Sequence, residues 1–229
     1  TRGNAGDFDR WAQKGAIGWT HADCLPYFKR CEGWEEGGDE RRGGDGPLGT
    51  TWAKTEDPLF PAWIEAAKGA GLPVTADYNG SQQEGFGRSQ YTIKNGKRCS
   101  SAVAFLKPVI NRPNLTVITN AQTSRVLMNG TKAVGVEYIK GDKTTRVDAS
   151  QEVILSGGVF NSPQLLMLSG IGPAEHLKDM GIETIVDLPV GKNLQDHQTV
   201  SISFSRPTNT SKFREDMRFD RAAIGMARS

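Results

Sequence analysis

"EVILSGGVFNSPQLLMLSGIGP" occupies residues 152–173, and these residues decide the fold. Glu152 to Ser156 is rich in β-formers, mostly apolar, and runs into Gly157-Gly158. A run without polar alternation suits a strand of a parallel sheet covered on both faces. After the glycines the period changes. Ser162 is a fair N-cap, and Pro163 sits at the first helical position, where its missing N–H costs nothing. Leu165, Leu166, Leu168 and Ile171 supply a face to bury. Ser169-Gly170 ends the helix, and Gly172-Pro173 keeps it from resuming. A strand, a glycine turn and a helix N-terminus together favour an anion, because exposed N–H groups and the helix dipole act in the same direction. By itself this unit is weak evidence, since many α/β proteins contain one. No GxGxxG follows a strand, and "GGDERRGGDG" at 37–46 has the glycines but sits in a polar loop.

Working outward, "PAEHLKDMGI" (173–182) is a short helix closed by Gly181, and Ile182 to Leu188 is a strand. "PVGKNLQDH" (189–197) is a polar loop feeding the alternating strand "TVSISFS" (199–205). Upstream, "LTVIT", "TSRVLM", "AVGVEYI" and "TTRVDA" lie between 115 and 149. Their alternation predicts an antiparallel meander with one wet face. Further back, Asp7 caps a helix to Gln13. Thr20 caps a second helix, with Asp23 completing a capping box and Leu25, Phe28 and Cys31 on one face. Pro58 to Ala70 is amphipathic and ends at Gly71 and Pro73. Asn79-Gly80 and Asn95-Gly96 mark turns between short strands, and Ser101 to Val109 is a short helix. Residues 35–50 are glycine-rich and charged, a loop compatible with either a solvated linker or a mobile lid.

A chain of 229 residues holds one large domain or two small ones. The net charge of +2 gives no global attraction to nucleic acid or an anionic membrane. No apolar run approaches the ~18 residues of a membrane span. Cys24, Cys31 and Cys99 are odd in number and lack metal-site spacing, which favours free thiols in a reducing compartment, the cytoplasm.

The blocks "GGVFNSPQLLMLSGIGP" (157–173), "HLKDMGI" (176–182) and "DLPVGKNLQDH" (187–197) resemble the second signature region of the glucose–methanol–choline oxidoreductases. "RGNAGDFDRW", "GWTHADCLPYFKRCE", "GGDGPLG", "GFGRSQYTIKNGKRCSSAVAFLKP", "RPNLTVIT" and "AVGVEY" follow the family's order, so the resemblance covers nearly the whole chain. Its flavour is that of choline-dehydrogenase-like alcohol dehydrogenases. Val159 departs from the small residue usual there.

The resemblance implies an α/β fold with α+β character: part of a Rossmann-like FAD-binding domain with an antiparallel meander, plus part of an antiparallel-sheet substrate domain. The implied division is a helical or lid segment of the FAD-binding domain at 1–50, substrate domain at 51–110, FAD-binding domain at 111–197 and substrate domain again at 198–229. It implies oxidation of a primary alcohol by hydride transfer to FAD, with oxygen or a quinone-type compound as electron acceptor. A lyase on the same scaffold and a non-catalytic binding module are the alternatives. The family's GxGxxG and GGSSxxN stretches would precede Thr1, and its catalytic His and His/Asn partner would follow Ser229. The chain alone is therefore expected to be inactive, and no catalytic residue is assigned.

His21, His176 and His197 read as packing, solvated and loop-ordering residues respectively. By motif position, Thr123 would contact the adenine through its backbone, and Ser156, Gly157 and Gly158 would lie beside the cofactor. Asn193 and Asp196 suit loop-ordering bonds at least as well as a cofactor role. Phe86, Tyr91 and Phe105 suit either the wall facing the flavin or the core.

Overall fold

The computed structural model describes residues 1–54 and 57–202, in two compact units, 1–115 and 116–202.

The first unit opens with α1 (Ala5–Gln13) and α2 (His21–Cys31). Asn4, not Asp7, caps α1, its side chain accepting from the Gly6 amide. Three residues of extra helix, 5–7, precede the expected start because Asn is as good a cap as Asp. Thr20 and Asp23 form the predicted capping box, each side chain accepting from the other's backbone N–H. Phe8 is buried where the two helices meet, edge-on to Trp11 at 5.2 Å and to Phe28 at 5.7 Å.

Strand β1 (Glu32–Trp34) pairs in parallel with β2 (Leu48–Trp52). Helix α3 (Leu59–Gly69) follows. The short β3 (Gln90–Tyr91) pairs antiparallel with β2. β4 (Ile93–Lys94) and β5 (Lys97–Arg98) form a hairpin around Asn95-Gly96, with φ of 53° and 72°. Two consecutive positive φ values are what a two-residue hairpin turn needs, so this dipeptide acts as expected. Asn79-Gly80 instead forms a turn outside any hairpin. The expected helix at Ser101–Val109 is a π-helical stretch, Ala102–Leu106, tightening to a 3-10 turn at Lys107–Val109. Pro108 supplies no N–H, which favours such irregular winding.

The glycine-rich stretch between β1 and β2 is held closely. Arg42 is 1% exposed. Its guanidinium donates to both carboxylate oxygens of Glu32 at 3.0 and 2.7 Å, to Asp77 at 2.7 Å and to Gln90 at 3.0 Å. It also lies 4.0 Å from the Trp34 ring centroid. Arg2 adds a second cation on Glu32 at 2.6 Å. The Gly43 and Gly46 backbones press against the end of α2, where a Cβ would run into the carbonyls of Lys29 and Cys31. The glycines are therefore required for close approach. A charge paired inside the fold cannot be distinguished from a solvated one by composition, which is why the linker reading fails here.

The second unit is a meander of β6 (Gln122–Asn129), β7 (Lys132–Lys140) and β8 (Lys143–Asp148), antiparallel throughout. Three of the four expected strands form it; 115–119 has no sheet partner among the described residues. Helix α4 (Gly158–Leu168) packs on β6. Then β9 (Ile171–Gly172), α5 (Ala174–Asp179) and β10 (Val186–Asp187) make a small parallel unit over the fully buried Leu177.

Two expectations around α4 are corrected. Glu152–Ser156 is not in a strand, and Ile154 is 75% exposed. No described strand lies beside it to complete a parallel sheet, so Ile154 stays uncovered while Val153 and Leu155 are half-buried. The helix also begins at Gly158, four residues before Ser162. Gly158 at φ 84° makes the turn, and the Ser162 hydroxyl accepts from the Gly157 amide at 2.9 Å. Pro163 is consequently inside α4, and no residue of the helix is fully buried. Ile182–Leu188 contracts to β10. The expected strand at 199–205 is not formed in 199–202, and its remainder lies outside the described residues.

Candidate functional site

A cleft of about 510 Å³ lies in the second unit between the start of β6, residues 153–157 and the exposed side of α4. Its lining includes Gln122 and Thr123 from β6, Ser156 and Gly157 from the turn, and Asn161 and Gln164 from α4. Val153, Ile154, Leu165 and Leu168 give it an apolar floor. Among the described residues no Asp, Glu, Lys or Arg side chain lines it. A neutral cleft of amides, hydroxyls and aliphatic carbons suits a flat, uncharged, hydrogen-bonding body such as a nucleoside.

Local sequence explains the shape. β6 has register irregularities between Thr123 and Arg125 and between Leu127 and Met128. Thr123 stays paired with Tyr138, and the first irregularity falls just after it, at Ser124, where a local bend is expected. The Gly157-Gly158 turn brings α4's N-terminus to the opposite side. No side chain caps that first turn, so its leading N–H groups remain available to solvent or an anion.

Thr123, Ser156 and Gly157 thus lie together on the cleft. Gly158 is adjacent in sequence but is not among the lining residues, and a Cβ there would meet open space. Asn161 and Gln164 were missed by sequence reasoning. Their i, i+3 spacing places them on one helical face, but only once the helix is started at Gly158 rather than after Ser162.

The three histidines are elsewhere. His21 packs against Phe8 with ring centroids 6.2 Å apart, and its backbone N–H donates to Asp9. His176 belongs to α5, and its carbonyl accepts from Met180. His197 is exposed, its amide donating to Asp196 at 2.7 Å. That bond is made by the backbone, and the imidazole takes no part in it. Asn193, at φ 58°, and Asp196 do not line the cleft.

The first unit has its own open concavity of about 800 Å³ on the β2–β4 side, lined by Glu35, Trp52, Lys54, Tyr91 and Lys94 among others. Phe86, Tyr91 and Phe105 are all exposed rather than core. Among the described residues no cluster of His, Cys, Asp or Glu could hold a metal, and no helix is long and apolar enough to cross a membrane. The cysteines are free thiols.

The second unit thus joins helices and a meander around a cleft of amide, hydroxyl and aliphatic groups beside the start of α4. The sequence profile of the GMC oxidoreductases matches residues 1–199, and the chain belongs to that family. It is 50% identical over 228 residues to mitochondrial choline dehydrogenase of Homo sapiens, covering 98% of this chain and 38% of that one. It is 54% identical over 197 residues to oxygen-dependent choline dehydrogenase of Sinorhizobium fredii, covering 86% and 36%. The fold matches pyridoxine 4-oxidase from Mesorbium loti with a TM-score of 0.76 at 34% identity, over 82% of this chain and 38% of that one. The chain thus spans about two-fifths of the relatives it matches. The family's cofactor is FAD. The amide, hydroxyl and aliphatic groups that line the cleft are of the kind that would hold the nucleoside end of that molecule.

Proposed function

We propose that this chain contributes part of the FAD-binding and substrate-binding halves of an oxidoreductase acting on a primary alcohol, choline or a close relative. The observation that carries the proposal is the convergence of Thr123, Ser156 and Gly157 on one neutral cleft in a chain of this family. Half-identity to two choline dehydrogenases supports the alcohol class. When bound, FAD supplies the hydride acceptor.

This chain's own residues do the holding. The Thr123 backbone meets the adenine edge, where Thr serves as well as another β-branched residue because its side chain is not read. Asn161 and Gln164 offer amide groups to the ribose or the base. Ser156 and Gly157 bring main chain close to the cofactor, and Gly158 supplies the left-handed turn that carries the chain from there into α4. Residues 111–197 accordingly serve the FAD-binding domain, together with 1–50. Residues 51–110, which carry Trp52 and Tyr91, serve the substrate domain with 198–229. No residue of this chain takes the substrate proton, and the 229-residue chain alone is inactive.

The test is reconstitution of the full-length protein with FAD, followed by anaerobic addition of choline and other primary alcohols. Bound flavin absorbance that bleaches with an alcohol and returns with oxygen or a quinone-type dye is the expected result. A folded protein that never takes up FAD would overturn the proposal. Turnover of 229 residues by themselves would overturn the statement about inactivity.

A further inference from the structure

Ser169 ends α4, but its hydroxyl does more than stop a helix. It donates to the Leu165 carbonyl at 2.5 Å, closing the last turn. The same oxygen accepts from the backbone N–H of Val126 at 2.8 Å, across 43 residues of sequence. Val126 is on β6, three residues beyond Thr123, and pairs with Val136 of β7 on its other side. Ser169 is 6% exposed and Val126 is buried, so water does not substitute readily for this bond. Just beyond, Gly170 has φ 82°, and a Cβ there would stand 2.7 Å from the Glu183 carbonyl oxygen. The Gly170 carbonyl accepts from the amides of Ile185 and Val186. The Ser-Gly step is therefore fixed from three directions.

We propose that Ser169 is a positioning residue for the cofactor cleft: its hydroxyl clamps α4 to β6 and so sets the gap between Thr123 and the α4 side chains Asn161 and Gln164. The inference rests on the reading of that cleft as the FAD site. α4 has no fully buried residue to hold it in place, and its leucines are only partly covered. An apolar contact of that kind is non-directional and permits sliding, whereas a hydrogen bond between two buried groups fixes one register. Removing the hydroxyl leaves a buried donor on Val126 unsatisfied, which favours a shift of the helix.

The experiment is FAD titration of the full-length apoprotein, by flavin fluorescence, far below its melting temperature. A purely destabilising substitution leaves the dissociation constant unchanged there, because the folded fraction is still close to one. Ser169→Ala and Ser169→Cys should both weaken FAD binding, by about tenfold for the loss of one buried bond. Cysteine keeps the side chain's shape but is a poor hydrogen-bonding partner. Wild-type affinity in either variant would overturn the clamp. Ser156→Phe, which narrows the exposed mouth of the cleft, separates the two ideas. If Ser156→Phe binds FAD as wild type does, the cleft is not the FAD site and the inference fails with it. If Ser156→Phe weakens binding and the Ser169 variants do not, the cleft reading stands and the clamp alone is wrong.

Discussion

Arg42 shows how much one side chain can organise. It neutralises Glu32 and the partly exposed Asp77 and stacks on Trp34, and is itself almost unexposed. Removing one member of such a group leaves buried charge uncompensated, which costs about 3–5 kcal/mol. Arg42→Ala should lower the urea unfolding midpoint by that equivalent. Arg42→Lys should recover only part of the loss, since an ammonium cannot fork to two carboxylates. Equal midpoints for wild type and Arg42→Ala would refute the assignment. The same region sets acid stability. Burial alone pushes the Asp77 carboxyl up, but bonds from Gln90, the Asn79 backbone and Arg42 outweigh it and hold it below its ordinary value. Burial also pushes Glu35 up, yet Lys54, the Thr51 hydroxyl and the Trp52 amide hold it at about 2 against an ordinary 4.5. Groups depressed in this way stabilise the fold fully above their unfolded values and lose that contribution as pH falls through their folded ones. Stability should therefore decline from about pH 4.5 to about 2, with no such loss near neutrality. The decline should be shallower in Glu35→Gln, and an acid limb identical to wild type would rule out Glu35's part in it.

Among elements, α2 was the most legible. Thr20 and Asp23 are three residues apart before an apolar face, and the box forms as the sequence indicates. Thr20→Ala should destabilise by about 1 kcal/mol, the usual cost of losing a side-chain cap. An unchanged midpoint in chemical denaturation would show that the exposed box contributes nothing. The Asn95-Gly96 hairpin was legible for a similar reason, since the signal is local φ preference. By contrast, α4 starts five residues before the expected first position, at Gly158 rather than Pro163. Ser162 and Pro163 form a strong start signal, but Ser162 is used instead to tie down the Gly157 amide. A cap and a turn-closing hydroxyl are the same chemistry, and only the tertiary path decides which occurs. That displacement concealed Asn161 and Gln164 from the sequence reading of the site.

At the scale of the whole molecule, the exposed apolar run from Ile154 to Phe160 dominates. Ile154 is 75% and Phe160 72% exposed, and residues 152–156 have no strand partner among the described residues. Unpaired extended backbone carrying apolar side chains invites association. The 229-residue chain expressed alone should self-associate with rising concentration, and Ile154→Lys should reduce this in sedimentation velocity. A monomeric chain with strongly protected amides at 152–156 would contradict it.

Sequence by itself determined what is local or modular: the caps, the Asn-Gly hairpin, the β6–β8 meander and, through ordered blocks, the GMC family. These follow from φ preferences, side-chain periodicity and short-range hydrogen bonds, which act within a few residues. Tertiary structure alone decided that Arg42 is buried, that Glu152–Ser156 is uncovered, and that Ser169 reaches Val126. Each depends on groups brought together from tens of residues apart, and no spacing in the chain encodes which distant carbonyl, amide or carboxylate will be waiting there.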